Sequence, residues 1–375
     1  MKKLIFATAT ACLLLASCSG DKQANDGFVV LDIVGNMDAD NTDNFDEIAD
    51  VNMMFHPELT DSTQIGGFSI RGIIDNRFYV FYDRMMTFAP DGKCISSFSR
   101  SGGGPGEYQF PWVKWGVPYN GNWMVVDYKA IDGKARSLIF NYTYDGKYLG
   151  TDTVNTVFGR GTFVPYKKEG WMNAYAEVDK NFIIEKYDTE WNRTDTILTP
   201  FVFRFIDSVK NPRYRTAVNP YMPTSPNICT FQYRDTVYEP DFAASKLTPK
   251  IALNLGEYRA PENYCSLDST GDYIDPRVYM TQRHALVTYN HNDECVVQFY
   301  DRSNGELVAS FRTPYDPKER AYRGVMMKCA GEEIKLRPLD YTTDDTFFFN
   351  ADSETMSEIT GDMEANPAMY SVKLK

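Results

Sequence analysis

Residues 77–106, RFYVFYDRMMTFAPDGKCISSFSRSGGGPG, constrain the fold more than any other stretch of the chain. Residues 78–82 and 85–88 are aromatic and apolar runs that read as strands, and residues 94–98 read as a third. Asp91-Gly92 before the third strand is a hairpin turn, because both residues tolerate the positive φ that a tight turn needs. A glycine-rich exit, SGGGPGEY, follows.

The unit recurs. Aromatic or β-branched strands open successive copies at 78–82, 123–127, 171–176, 230–233, 285–289 and 346–350. In the first five copies a strand pair follows around a turn: Asp91-Gly92, Asp145-Gly146, Glu190–Asn192, Ala244–Lys246 and Asn304-Gly305. The sixth pair lacks a clean turn, and its last strand is expected at 369–374. The turns lie roughly 45–60 residues apart, a period with several strands per unit that marks propeller blades, as in WD40 (~40–45) and kelch (~50) arrays. The expected fold is all-β, a six-bladed β-propeller of four-stranded antiparallel blades forming one domain over residues 28–375. A blade packs both faces against its neighbours, so its strands carry rings on both sides. A pair of β-sandwiches or a β-solenoid are the alternatives. A ring must close, and residues 28–34 are expected to do this as the outer strand of the last blade. Residues 257–280, with Pro261, Pro276 and little alternation, read as an insertion over one face.

Composition agrees with strands: aromatic residues reach 14% of 375, with 25 Tyr and 24 Phe. The net charge is −12 and no Lys/Arg-rich run appears, which argues against a nucleic-acid partner. The acidity reads as solubility.

The N-terminus carries an address. Lys2 and Lys3 precede an apolar run from Leu4 to Leu14, too short to span a bilayer core of about 30 Å. Leu15-Ala16-Ser17-Cys18 then resembles a bacterial lipobox, in which the cysteine is lipidated and the signal is cut before it. Residues 1–17 are thus read as a lipoprotein signal peptide, Cys18 as the lipid attachment, and residues 18–27 as a flexible tether. No other stretch is apolar enough to cross a membrane, so the membrane is met through the lipid. Without Cys12 and Cys18, five cysteines remain: Cys94, Cys229, Cys265, Cys295 and Cys329. An odd number with no CxxC spacing is neither a zinc pattern nor a disulfide framework. One bridge in an oxidising compartment stays open, with no pair chosen.

At SGGGPGEY, with FAPDGKCISSF before it, the sequence resembles the six-bladed β-propeller lipoproteins of Bacteroidetes, relatives of the NHL-repeat propellers. The matching positions are Phe88, Asp91, Gly92 and Lys93 of the hairpin and Gly102, Gly104, Pro105, Gly106, Glu107 and Tyr108 of the exit. Arg234–Pro240 (RDTVYEP) and Asn366–Lys375 (NPAMYSVKLK) resemble a blade strand and the final strand of that group. YVFYDRMMTF departs from it through a shorter, Met-rich link. The resemblance implies a lipid-anchored protein of the cell envelope, at the outer membrane, and no particular chemistry.

The candidate sites are few. In Gly102–Gly106 no Gly-Lys-Ser/Thr follows, and Glu107 would repel a phosphate, so the glycines read as a tight crossing between blades. Asp38, Asp40 and Asp43 miss calcium-loop spacing: counted from Asp38, the sixth and twelfth positions hold Asp43 and Ala49 in place of Gly and Glu. A short helix is expected over 43–49. His56, His284 and His291 fit no HExxH pattern, and His284 and His291 fall on opposite faces of one strand by alternation. No metal, cofactor or catalytic residue is expected. Tyr108, Trp112 and Trp115, in YQFPWVKW, are the candidate ligand-binding rings, since exposed rings stack on sugars or anchor peptides. Packing between blades is the alternative for them. The expected role is a non-enzymatic module that binds an envelope protein, a glycan or a peptide through one face of the ring. A hydrolase or lyase acting on glycans or peptides at the propeller mouth is the other reading.

Overall fold

The computed structural model describes residues 27–40, 45–61, 63–65, 69–109, 116–155, 163–176, 180–202, 205–207, 215–217, 221–260, 273–314, 324–329 and 332–375. Six sheets follow one another along the chain. Blade 1 is Ser69–Ile74, Arg77–Phe81, Met85–Phe88 and Cys94–Phe98. Blade 2 is Gly116–Tyr119, Asn122–Ile131, Lys134–Tyr142 and Tyr148–Val154. Blade 3 is Phe163–Tyr166, Gly170–Tyr175, Asn181–Tyr187 and Arg193–Val202. Blade 4 contains Phe231–Tyr233, Thr236–Asp241 and Lys246–Asn254, with Tyr221 bridged to Gln232 on its inner side. Blade 5 is Arg277–Met280, His284–His291, Glu294–Asp301 and Leu307–Pro314. Blade 6 is Glu332–Thr342, Phe347–Ala351, Ala368–Leu374 and Ala49–Phe55, and Val325–Cys329 pairs with the start of its inner strand. A separate two-stranded ribbon, Phe205–Asp207 with Arg215–Ala217, lies between blades 3 and 4 in the chain.

The core is divided among the interfaces between blades. Tyr79, Phe81 and Met85 of blade 1 meet Trp123, Phe140 and Tyr142 of blade 2. Five further clusters join blades 2 and 3, 3 and 4, 4 and 5, 5 and 6, and 6 and 1. The last of these puts Phe55, Leu339 and Phe348 against Phe78 and Phe88, which completes the ring. Strand alternation explains why the runs are apolar throughout. In Phe347–Ala351, Phe347 and Phe349 face blade 5 while Phe348 faces blade 1. The fold is the expected all-β six-bladed propeller, built on the four-stranded antiparallel unit.

The ring closes differently from the expectation. Val29–Asp32 pairs in parallel with Lys246–Asn254, on the outer edge of blade 4. The closing strand is Ala49–Phe55, antiparallel to Ala368–Leu374 from Leu374 to Met369. Between them the chain crosses blade 5. Gln298 donates to the Asn36 carbonyl at 2.7 Å, and Arg312 reaches Asp38 at 3.4 Å. Phe45, in the short helix Phe45–Ile48, sits 4.8 Å from the Phe311 ring and 5.5 Å from Phe299. Residues 29–40 and 45–55 therefore run as a belt along the outer edges of three blades. The closing strand was hidden because only Ala49 and Phe55 in it are buried, so it shows little apolar alternation.

Other differences are local. The runs first read as opening each copy are mostly second strands; the true inner strands precede them. The missing turn of the sixth copy is a helix, Ser353–Thr360, capped by Asp352 accepting from the Thr355 amide at 2.9 Å and ended by Gly361 at φ 74°. The segment read as an insertion contains a short turn, Gly256–Tyr258, but its end, Arg277–Met280, is the inner strand of blade 5. Cys94, Cys229 and Cys295 are free thiols, and burial pushes the Cys229 thiol up to about 12.

His284 and His291 are the two ends of one eight-residue strand, about 24 Å apart at strand rise, too far to share a metal. Burial pushes the His284 imidazole below its usual 6.5, with Asp301 partly offsetting. A depressed histidine contributes stability above its unfolded pKa that is lost as pH falls. The melting temperature should therefore drop as pH is lowered below about 6.5, and less so in His284→Gln, measured by thermal melts across that window.

Candidate functional site

The centre of the ring is lined by the inner strands. In every blade these strands run the same way, because each blade adds its strands in the same order. The ends of the outer strands and the starts of the next inner strands, such as Phe98 and Gly116 or Asn254 and Arg277, therefore share one face. The inner strands hold residues that strand interiors avoid: Pro118, Pro165 and Pro338, and arginines at 71, 277 and 337. Proline is tolerated because an inner strand is a sheet edge.

Two of these strands bulge toward each other. In Ser69–Ile74, Ile70 pairs with Val80 and Gly72 with Tyr79, so Arg71 has no residue opposite it. In Glu332–Thr342, Pro338 pairs with Phe349 and Thr342 with Phe347, leaving three residues opposite Phe348 alone. Leu339 and Tyr341 turn into the core between blades 6 and 1, which sends Asp340 to the other side. Bulges re-aim side chains in this way and gather beside active sites. The Tyr341 hydroxyl accepts from the Ile73 amide at 3.3 Å and holds the two strands together.

Asp340 is the hub. Tyr221 donates to its Oδ1 at 2.6 Å, and Tyr279 of blade 5 approaches the same oxygen at 3.4 Å. Thr224 bonds the Asp340 carbonyl through its amide, and its own carbonyl accepts from the Thr342 amide, both at 3.1 Å. This parallel bridge carries the start of blade 4 past the end of the blade 5 inner strand to blade 6. Val278 and Met280 pack toward blade 4, so Arg277 and Tyr279 point the other way, toward Asp340. The Arg277 guanidinium lies 5.3 Å from the Tyr221 ring centroid.

Electrostatics mark the same place. Burial raises the Tyr221 and Tyr279 hydroxyls far above the usual phenol range, and both stay neutral. Burial also raises the Asp275 carboxyl, with Arg277 opposing. It lowers Arg71, which Asp340 offsets. At Arg277 burial acts against the charge, but Tyr279 and Asp340 outweigh it and raise the pKa. Asp340, Asp275, Arg277 and Arg337 are nonetheless exposed to solvent. Groups enclosed by protein yet open to water are what a channel wall presents.

Gln232 fixes the wall. Its side chain is fully paired and buried: it accepts from the Val278 amide at 2.9 Å and donates to the carbonyls of Pro276 and Arg234 at 2.9 and 2.8 Å. It thereby clamps the residues on either side of Arg277. Gln232→Leu should cost about 2–3 kcal/mol in chemical denaturation, since three partners are left unsatisfied.

The residues singled out from sequence lie elsewhere. Tyr108 is 8% exposed and packs against Phe140 between blades 1 and 2, where the packing alternative placed it. Trp112, Trp115 and Cys18 lie outside the described residues. Gly106 has φ 74° beneath the Tyr148 ring and gives its carbonyl to the Tyr142 hydroxyl at 2.8 Å, so the glycine exit is architecture. Among the described residues no cluster of His, Cys, Asp and Glu could hold a metal, and no helix is long and apolar enough to cross a membrane. Arg71, Tyr221, Arg277, Tyr279, Arg337 and Asp340 were missed. Their one signal is charge inside short apolar strands, as in SIRGII, RVYM and LRPLDYT.

A Bacteroides fragilis NCTC 9343 protein described as exported matches with a TM-score of 0.62 at 14% identity, covering 93% of this chain and 99% of that one. A member of the DUF4221 family from Bacteroides vulgatus matches with a TM-score of 0.43 at 11% identity, covering 88% and 99%. No curated protein matches the chain. Residues 21–335 match the family described as DUF5128, 6-bladed beta-propeller, and the chain belongs to that family.

Proposed function

We propose that this chain is a lipid-anchored protein of the cell envelope that binds a ligand at the centre of its ring. The observation that carries the reading is the pair of facing bulges that turn Arg71 and Asp340 out of the inner strands of blades 1 and 6. A strand loses pairing wherever it bulges, and two such losses beside the Tyr221–Tyr279 pair are unnecessary for closing a ring. The anchor rests on the lipobox at Leu15–Cys18, and the B. fragilis relative's description as exported agrees with it. The outer membrane and the kinship to NHL-repeat propellers rest on the sequence resemblance. Trp112 and Trp115 remain proposed contacts on the linker from blade 1 to blade 2.

Purification from the native envelope tests the reading. Native mass spectrometry of the wild type should reveal a bound species that an Asp340→Asn, Arg277→Gln double variant has lost. A species kept equally by both, or none on either, contradicts the reading. Palmitate label should be absent from Cys18→Ala; undiminished label refutes the anchor. A second reading, a hydrolase, is favoured by Asp275, a carboxyl raised by burial beside Arg277. It expects turnover of a glycan or peptide panel that Asp275→Asn abolishes.

A further inference from the structure

Gly27, ahead of the strand Val29–Asp32, lies on one particular face of the ring. Successive strands in a blade are antiparallel, so the turns from first to second strand and from third to fourth share a face. The opposite face carries the turns from second to third strand and the entries to the inner strands. Gly27 is on the first face. A Cβ on Gly27 would sit 3.9 Å from Lys250 Nζ, which reaches Glu239 at 3.5 Å, and Glu239 reaches Lys167 at 3.4 Å. Lys167 and Lys168 form the first turn of blade 3, between Phe163–Tyr166 and Gly170–Tyr175. Further along, the Val30 carbonyl leaves no room for a Cβ on Gly305, in the outer turn of blade 5. The Lys167-Lys168 turn also breaks a local rule. The equivalent turns of blades 1 and 2 are Asp75-Asn76 and Asn120-Gly121, residue types that accept positive φ. Blade 3 puts two lysines there, at φ 46° and 60°. Lysine gains nothing from that backbone, and strained residues of this kind persist where they serve a contact. Lys168 is exposed and Lys167 half-buried.

Resting on the Cys18 anchor proposed above, we infer that this face of blades 3 and 4 lies against the membrane, with Lys167 and Lys168 meeting anionic lipid headgroups. Chain length supports it. The stretch from Cys18 to Gly27 spans at most about 32 Å when fully extended. The strand His284–His291 alone is about 24 Å long at strand rise, before the loops at its two ends are added. Turning the opposite face to the lipid would therefore consume nearly all of that length. The negative potential of an anionic bilayer attracts an ammonium, and the lysine stem is long enough to carry its charge to the headgroups. This orientation leaves the opposite face, where the inner strands start, open to a ligand of the ring centre.

Lysine footprinting tests this on the full lipidated protein, acetylated in detergent and again on vesicles of phosphatidylethanolamine and phosphatidylglycerol, with rates read by mass spectrometry. Lys168 and Lys246, both exposed on the first face, should react about fivefold more slowly on the vesicles, the factor one lysine gains at an anionic surface. Lys134, exposed at the turn from second to third strand of blade 2, should react at an unchanged rate. A Lys167→Asn, Lys168→Gly variant restores the usual turn residues. It should melt no lower than the wild type and lose most of the slowing at Lys246. If Lys134 is slowed as much as Lys168, or none of the three is slowed, on protein that floats with the vesicles, the inference falls while the anchor stands. Protein that does not float removes the anchor and the inference together. Equal slowing on neutral phosphatidylcholine vesicles, or slowing at Lys246 that the double variant keeps in full, refutes the headgroup contact.

Discussion

A chain shortened to begin at His56 should fail to fold cooperatively. It lacks three things at once. The Ala368–Leu374 strand loses its partner Ala49–Phe55 and becomes an unpaired edge. Blade 4 loses Val29–Asp32, whose Leu31 is fully buried. The space among Phe299, Phe311 and Val325 loses Phe45, itself 1% exposed. A propeller with one open joint exposes its interfaces on both sides of the gap. Phe45→Ala alone is the graded version and should cost about 3–5 kcal/mol, the usual range for a buried phenylalanine. Circular dichroism with dye binding would show a broad transition for the truncated chain and a sharp but lowered one for Phe45→Ala. A truncated chain that melts as sharply as the full one would mean that the belt is not what closes the ring.

Asn366 should be the most sensitive single polar residue. It is 1% exposed, in the Asn-Pro that precedes the Ala368–Leu374 strand. Its Oδ1 accepts from the Ile65 amide at 3.0 Å, and its Nδ2 donates to the carbonyls of Glu58 and Thr63 at 2.9 and 3.0 Å. Its own carbonyl meets His56 Nε2 at 3.0 Å. One side chain thus ties the link between blades 6 and 1 to the end of the chain. Asn366→Ala should cost about 3 kcal/mol, roughly one for each side-chain bond lost. Asn366→Asp keeps the shape and the acceptor but replaces both donors with a buried charge, and should cost at least as much. An aspartate variant of wild-type stability in urea unfolding would show that these bonds carry no weight.

The repeat was legible because Asp-Gly and Asn-Gly turns need positive φ and so leave a residue signature; Gly92, Gly146 and Gly305 all have it. The strands flanking those turns were legible for a related reason. Both faces of Phe347–Ala351 and of residues 285–289 are buried, so most of their residues are apolar. Inner strands gave a weaker signal. One edge faces the channel, which admits Pro118, Pro165 and Arg71 and breaks the apolar run. The ring-closing strand is exposed over most of its length, and Phe28–Val34 looked the better candidate by hydrophobicity alone. The candidate site was out of reach for a geometric reason. Arg71 and Asp340 are 269 positions apart and become neighbours only when blade 6 meets blade 1. No local pattern encodes a contact that exists only after closure.

Hydrogen–deuterium exchange on the envelope-purified protein, with its bound species and after removing it, tests the central claim most directly. Ligand in the ring centre should slow exchange in peptides covering 69–74, 277–280 and 337–342, with the outer strands unchanged. Protection confined to the linker carrying Trp112 and Trp115, with those three inner strands unaffected, would contradict it.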